Sequence, residues 1–223
     1  MDEASATLAR AWPGRLISLE GIDGAGKSTQ AAALASWLAA ADAREVISVR
    51  EPGETGLGRD VREIVLHRSW DARLDPWAEA LLLVAARAQL LSETVIPALM
   101  RGVVVICDRF VDSTLAYQGA ARGLGMEPLR RLHAESCGDI WPDLTVYLEL
   151  PVPAALRRRT DSELPLDRME AGGGVFLEHV ARGFAEIAAA EPRRVVRVDA
   201  TLPPAAVSTV IRTLVAERLA VPA

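Results

Sequence analysis

Residues 21–28 read Gly21-Ile22-Asp23-Gly24-Ala25-Gly26-Lys27-Ser28 and fit the spacing G-x-x-x-x-G-K-[ST]. A loop of this pattern cradles nucleotide phosphates when it joins a strand to a helix. Both flanks agree: residues 15–20 read as a short buried strand, and residues 29–34 as the first turns of a helix. Glycines let the backbone bend until several N–H groups face an anion, and the helix N-terminus adds its positive dipole end. Lys27 can reach the outer phosphates, and the Ser28 hydroxyl can ligate Mg2+. With glycine near ~7% of average usage, a chance match at a given position is on the order of one in tens of thousands. The loop thus fixes the opening of the fold as strand, phosphate loop, helix.

The rest of the chain continues that alternation. Residues 45–50, 103–107, 144–150 and 194–198 read as further strands, the run at 103–107 being apolar on both faces as a central parallel strand should be. Helices are expected over 30–41, 57–67, 76–91, 112–118, 127–135, 153–159, 168–190 and 204–219. Asp75-Pro76 supplies an N-cap and a first-turn proline, and Pro97 marks a kink or break before Met100. The fold class is therefore α/β, three layers around a five-stranded parallel sheet. With 223 residues, half of them hydrophobic, the chain can bury a sizeable core as one domain over residues 14–223, residues 1–13 being expected to be disordered.

A net charge of −5 argues against a broad nucleic-acid surface. No apolar run reads as long enough to span a bilayer, and the first residues, with Asp2 and Glu3, do not form a secretory signal. Cys107 and Cys137 have no zinc spacing, and the scattered histidines read as structural or exposed. A cytoplasmic protein without nucleic-acid or membrane partners is expected.

In such a sheet, ligands bind outside the carboxyl ends of the strands. Four strand ends then converge: the phosphate loop, Arg50-Glu51-Pro52-Gly53, Asp108-Arg109 and Glu149-Leu150-Pro151. Asp108 suits Mg2+ or its waters. Arg109 offers a planar fork for a second phosphate, the alternative being an internal pair with Asp108. Arg87 either snorkels or points into the cleft. Arg157-Arg158-Arg159 is either a solvated face or part of a cover that brings charge to a transferring phosphoryl group.

Together these segments resemble the thymidylate kinases, nucleoside-monophosphate kinases of the phosphate-loop class with a lid. The likeness runs from about residue 16 to 199. It rests on Leu-Glu-Gly-Ile-Asp-Gly-Ala-Gly-Lys-Ser-Thr (19–29), Arg-Glu-Pro-Gly-Glu-Thr (50–55), Ala-Ala-Arg-Ala-Gln (85–89), Asp-Arg-Phe-Val-Asp-Ser-Thr-Leu-Ala-Tyr-Gln-Gly (108–119), Pro-Asp-Leu-Thr-Val-Tyr-Leu-Glu-Leu (142–150) and Asp-Arg-Met-Glu (167–170). The resemblance implies transfer of the γ-phosphoryl group of ATP to dTMP, giving dTDP and ADP, for dTTP synthesis. Gly21, Ile22, Asp23, Gly24, Ala25, Gly26, Lys27, Ser28 and Thr29 would hold ATP, with Ser28 and Asp108 at Mg2+. Asp23, Pro52, Leu83, Arg87, Arg109, Thr114, Tyr117 and Gln118 would hold dTMP. Arg87 would bond the thymine carbonyl, Arg109 grip the acceptor phosphate, and Tyr117 pack under the deoxyribose. Adenine would lie near residues 199–204, the lid at about 157–170, and the partner would be a second copy in a homodimer.

The chain departs from the family pattern at four places. Leu83 stands where an aromatic usually stacks on the base. Glu54 replaces the second glycine of the Pro-Gly-Gly motif. Arg59 replaces an acid. The phosphate loop lacks an arginine, and residues 160–166 contain none, so Arg159 is assigned the catalytic charge together with Lys27, Asp23 and Arg109. Two alternatives follow from these departures: a related kinase for another or modified monophosphate, and a non-catalytic nucleotide-binding protein of the same fold.

Overall fold

The computed structural model describes residues 12–41, 45–68, 74–160 and 173–219, but not the side chain of Arg159. Strands β1 (Arg15–Glu20), β2 (Val46–Arg50), β3 (Val104–Asp108), β4 (Leu144–Glu149) and β5 (Val195–Asp199) form one sheet in the order β2-β3-β1-β4-β5. All the pairings are parallel, so every carboxyl end lies at the same edge. After β3 the chain crosses over β1 to reach β4, which makes the end of β1 the switch point where a ligand crevice opens. β3 is buried at every position and therefore has helices on both faces. It begins one residue later than its apolar run suggests. Val103 N–H bonds the Ala98 carbonyl in the preceding turn, whereas Asp108 pairs in register with Leu19 and Arg50. The acid thus belongs to the sheet and not to the loop after it.

The helices are α1 (Lys27–Ala41), α2 (Gly56–Arg62), α3 (Pro76–Leu90), α4 (Ile96–Met100), α5 (Val111–Thr114), α6 (Met126–Cys137), α7 (Val152–Thr160), α8 (Gly173–Ala190) and α9 (Pro204–Leu219). π-helical turns extend α2 over Glu63–His67, join α3 to α4 over Leu91–Val95, and extend α5 over Leu115–Ala121. The Asp75 carboxylate caps α3, accepting from the N–H groups of Trp77 and Ala78 at 2.8 and 3.2 Å, with Pro76 in the first turn. Of the kink or break expected at Pro97, the break is absent. A single 25-residue helix runs from Pro76 to Met100, because the wider π turn ahead of Pro97 takes up the strain of its missing N–H. This helix is long and apolar enough to cross a membrane by length and composition, contrary to the expectation that no segment would be. One of its faces belongs to the core: Ala80, Val84, Leu90, Leu91, Val95, Ala98 and Leu99 all lie in the main hydrophobic cluster, while Glu79 and Arg87 are buried beside it in polar contacts.

Of the N-terminal segment expected to be disordered, residues 1–11 lie outside the description, and Trp12 packs partly buried against the core. The expected helix start at 168 and the lid beyond Thr160 also fall outside the described residues.

Candidate active site

The loop after β1 bends at Gly21, Gly24 and Gly26, all with positive φ. At Gly21 (φ +140°) a Cβ would come within 2.6 Å of the Leu148 carbonyl oxygen, so no side chain fits between the loop and β4. Lys27 opens α1 buried, its Nζ donating to the carbonyls of Gly21 and Ile22 at 3.0 and 2.9 Å and lying 3.5 Å from Asp23. Burial pushes its ammonium down to about 8, and Arg109 adds repulsion, against the pull of Asp23, Asp108 and Glu20.

Ser28 and Thr29 follow, exposed. The Ser28 hydroxyl donates to Asp108 Oδ2 at 2.5 Å, and Arg50 Nε lies 3.9 Å from the same oxygen. The other carboxylate oxygen, Oδ1, is buried with no hydrogen-bond partner. A hydroxyl beside a carboxylate with an oxygen to spare is a donor set that suits a hard cation such as Mg2+. Among the described residues no cluster of three or more His, Cys, Asp or Glu could hold a metal, so such an ion would draw its other ligands from phosphate and water.

Arg109 does not pair with its neighbour Asp108. Its backbone adopts φ +72°, and its guanidinium folds back over the phosphate loop. Nη1 donates to the Gly21 carbonyl at 3.1 Å and to Ser113 Oγ at 3.0 Å. Nη2 donates to Asp23 Oδ1 at 2.5 Å and to the Tyr117 hydroxyl at 3.3 Å. Asp23 therefore stands between the two cations. Burial by itself would raise its carboxyl, but Arg109 and then Lys27 outweigh that and hold it well below the usual carboxylate range.

The left-handed turn at Arg109 is held from below by Glu20, the last residue of β1 and fully buried. Its oxygens accept from Phe110 N–H at 2.7 Å and from the Ser113 hydroxyl at 2.6 Å. Burial, with Asp112 nearby, raises the Glu20 carboxyl to about 8 despite these donors.

A cleft of about 650 Å3, open solvent at its mouth included, begins at Asp23 and Arg109 and runs outward between α3 and the segment Leu115–Ala121. Every residue assigned to dTMP lines it: Asp23, Pro52, Leu83, Arg87, Arg109, Thr114, Tyr117 and Gln118. Arg87 is buried and points inward. Its Nε donates to Glu51 Oε2 and its Nη2 to Thr114 Oγ1, both at 2.8 Å. Its Nη1 is buried without a partner. Burial raises the Glu51 carboxyl to about 7, with Arg87 pulling the other way. Gln118 donates through Nε2 to Glu79 Oε1 at 2.8 Å, leaving its own Oε1 buried and without a partner. Leu83 forms apolar wall, with no ring to stack on a base.

On the other side of the phosphate loop a second concavity is lined by Leu150, Pro151, Pro153, Ala154, Arg157, Arg158 and Thr201. Arg158 donates to the Gly24 carbonyl at 3.2 Å and to the Ala200 carbonyl at 2.8 Å, so it ties α7 to the phosphate loop and to the end of β5. The side chain of Arg159 lies outside the described residues, as does the segment Asp167-Arg168-Met169-Glu170. The two departures at 54 and 59 turn out to be neighbours: the exposed Arg59 guanidinium donates to the Glu54 carbonyl at 2.9 Å.

Sequence reasoning did not single out Glu20, Glu79 or Ser113. Glu20 and Glu79 had one usable signal, an acid inside an apolar strand or helix, which folding tolerates only if donors meet it.

The thymidylate kinase family model matches residues 19–211. The thymidylate kinase of Parasynechococcus marenigrum is 45% identical over 210 residues, covering 92% of this chain and 99% of the relative. That of Deinococcus radiodurans is 45% identical over 205 residues, covering 92% and 98%. A crystal structure of thymidylate kinase from Ehrlichia chaffeensis superposes with a TM-score of 0.72 at 32% identity, covering 90% of this chain and 98% of that one.

Proposed function

Since the chain belongs to the thymidylate kinase family and phosphorylates dTMP, we propose that ATP with Mg2+ is the donor and that the two basic pockets divide the substrates between them. Lys27 and the loop amides hold the ATP phosphates, and adenine occupies the concavity beside Thr201. Arg109 holds the acceptor phosphate. The observation that carries this reading is the Arg109 guanidinium lying 3.1 Å from the Gly21 carbonyl, which turns the acceptor cation toward the donor loop.

An acceptor phosphate oxygen is already ionised at neutral pH. It attacks the γ-phosphorus as the bond to the ADP oxygen breaks, and no general base is required. What the chain supplies is position and positive charge. In the free protein Asp23 bridges Lys27 and Arg109, and arriving phosphates take over part of its role. Arg159 is assigned as the lid cation in this scheme, with Arg157 the alternative, since Arg158 is already engaged with two carbonyls. Ser28 and Asp108 would hold Mg2+, which would supply positive charge beside the donor phosphates.

The base end follows from two of the three unpartnered atoms on the cleft's lining residues, the third being Glu51 Oε1. Arg87 Nη1 offers a donor and Gln118 Oε1 an acceptor. A thymine carbonyl and its adjacent imide N–H complement both. Tyr117 lies under the sugar, with Pro52 and Leu83 flanking. A homodimer in the cytoplasm completes the proposal. The exposed Leu57 on α2 and Trp77 and Leu81 on α3 support a second copy as partner, and sedimentation checks it.

A coupled assay over dTMP, dUMP, UMP and CMP tests the assignment, with dTMP expected to turn over best. Arg109→Ala should raise KM for dTMP roughly ten- to a hundredfold, as expected for a lost charge-assisted contact. Unchanged kinetics in that variant would place the acceptor site elsewhere.

A further inference from the structure

We propose that Glu79, which is not among the residues lining the acceptor cleft, sets which pyrimidine the cleft accepts by fixing the orientation of the Gln118 carboxamide. The inference rests on reading that cleft as the dTMP pocket. Glu79 sits fully buried in the first turn of α3, one and two helical turns ahead of Leu83 and Arg87. Its Oε1 receives Gln118 Nε2 at 2.8 Å and Arg122 Nε at 3.3 Å.

A carboxylate can only accept, so the amide must turn its nitrogen toward Glu79. The amide oxygen is left on the cleft side, buried and without a partner. Arg87 is fixed in the same manner. Glu51, Thr114 and the Phe110 carbonyl engage its Nε and Nη2, so Nη1 alone faces outward. Arg87 Nη1 and Gln118 Oε1 therefore present a donor and an acceptor in a set order, and the unpartnered Glu51 Oε1 belongs to the same lining.

Thymine and uracil answer with a carbonyl next to a ring N–H. Cytosine offers an amino group next to a bare ring nitrogen, which sets donor against donor and acceptor against acceptor. With Glu79 gone, the amide can turn over and offer its NH2 to that bare nitrogen. Glu79 is thus a positioning residue that acts through Gln118.

The test compares KM and kcat for dTMP and dCMP in the wild type, Glu79→Leu, Glu79→Gln, Gln118→Ala and the double variant Glu79→Leu/Gln118→Ala. In Glu79→Leu, KM for dTMP should rise about tenfold with kcat changed less than about twofold, and the preference for dTMP over dCMP should fall about tenfold. Glu79→Gln should restore both to within about threefold, because the Arg122 donor holds the new amide's oxygen toward itself and Gln118. The double variant should be no worse than Gln118→Ala alone.

Nuclear magnetic resonance of the wild type keeps the test independent of whether Glu79→Leu folds. The Gln118 side-chain NH2 protons, assigned by their loss in Gln118→Ala, should stay protected with and without dTMP. A wild-type preference retained in Glu79→Leu, a loss that adds in the double variant, or NH2 protons that shift onto dTMP would overturn the inference. If instead the wild type shows no preference and Arg87→Leu leaves both KM values unchanged, it is the pocket assignment that fails.

Discussion

At residue scale the site is a set of charges that stay ionised or neutral because of what surrounds them. Arg109 holds a left-handed backbone, unfavourable for any residue with a Cβ by roughly 1–2 kcal/mol. The turn persists because Arg109 N–H bonds the Leu19 carbonyl and Phe110 N–H bonds Glu20. That strain aims the guanidinium back over the loop, where an ordinary extended residue would point away. Lys27 is the opposite case, a cation weakened by its setting. In the proposed ATP site its ammonium is the form that would meet phosphate, and in the free protein burial brings it to about 8. ATP affinity should therefore be level well below pH 8 and fall as pH rises through it, by about tenfold per unit at the limit. Calorimetric titration from pH 7 to 9.5 checks this, and a flat profile would show that Lys27 keeps its proton.

At the scale of elements, the cleft proposed for dTMP depends on how closely α8 approaches the π segment Leu115–Ala121. That segment carries Tyr117 and Gln118, and its wider turn brings them to the same wall as Thr114. The approach is permitted by Gly183 in α8. A Cβ there would lie 2.8 Å from Ala120 Cβ and 3.1 Å from Ala116 Cα. Gly183→Val should push the helix and the segment apart, costing about 1–3 kcal/mol of stability, and should raise KM for dTMP. Thermal melts read the first effect and steady-state kinetics the second. Loss of stability with an unchanged KM would mean that the cleft wall tolerates the shift.

For the molecule as a whole, the sheet order places β1 between β3 and β4, so the phosphate loop, Asp108-Arg109 and the start of α7 meet at one edge. The core that holds this edge contains a buried histidine. His133 Nε2 donates to the Ile140 carbonyl at 2.8 Å, its ring meets Phe110 and Trp141 edge-on, and its Nδ1 has no partner. Burial, with Arg87 adding, lowers the ring to about 4. A histidine with a depressed folded pKa contributes stability above its unfolded value, and this is lost as pH falls. The window here runs from about 6.5 down to about 4, for a total on the order of 3 kcal/mol. Denaturant unfolding across that window should show the decline, and His133→Phe should flatten it. An equal slope in both proteins would assign the effect to other groups.

Local physics made the phosphate loop, the strand–helix alternation and the cap at Asp75 legible in the sequence, because each depends on residues adjacent along the chain. The sequence also carried the identity of the cleft residues, through a motif pattern. Tertiary structure alone decided their partners. Arg109 could have closed on Asp108; the turn over Glu20 sends it to Asp23 instead. Arg87 could have snorkelled; Glu51, 36 residues away, pulls it inward. Pro97 reads as a kink or a break, and a π turn carries the helix through it unbroken. Glu79 meets Gln118 across 39 residues, a contact that only the packing of α3 against the π segment creates. Which donor answers a buried acid depends on distances that folding sets and that residue order does not encode locally.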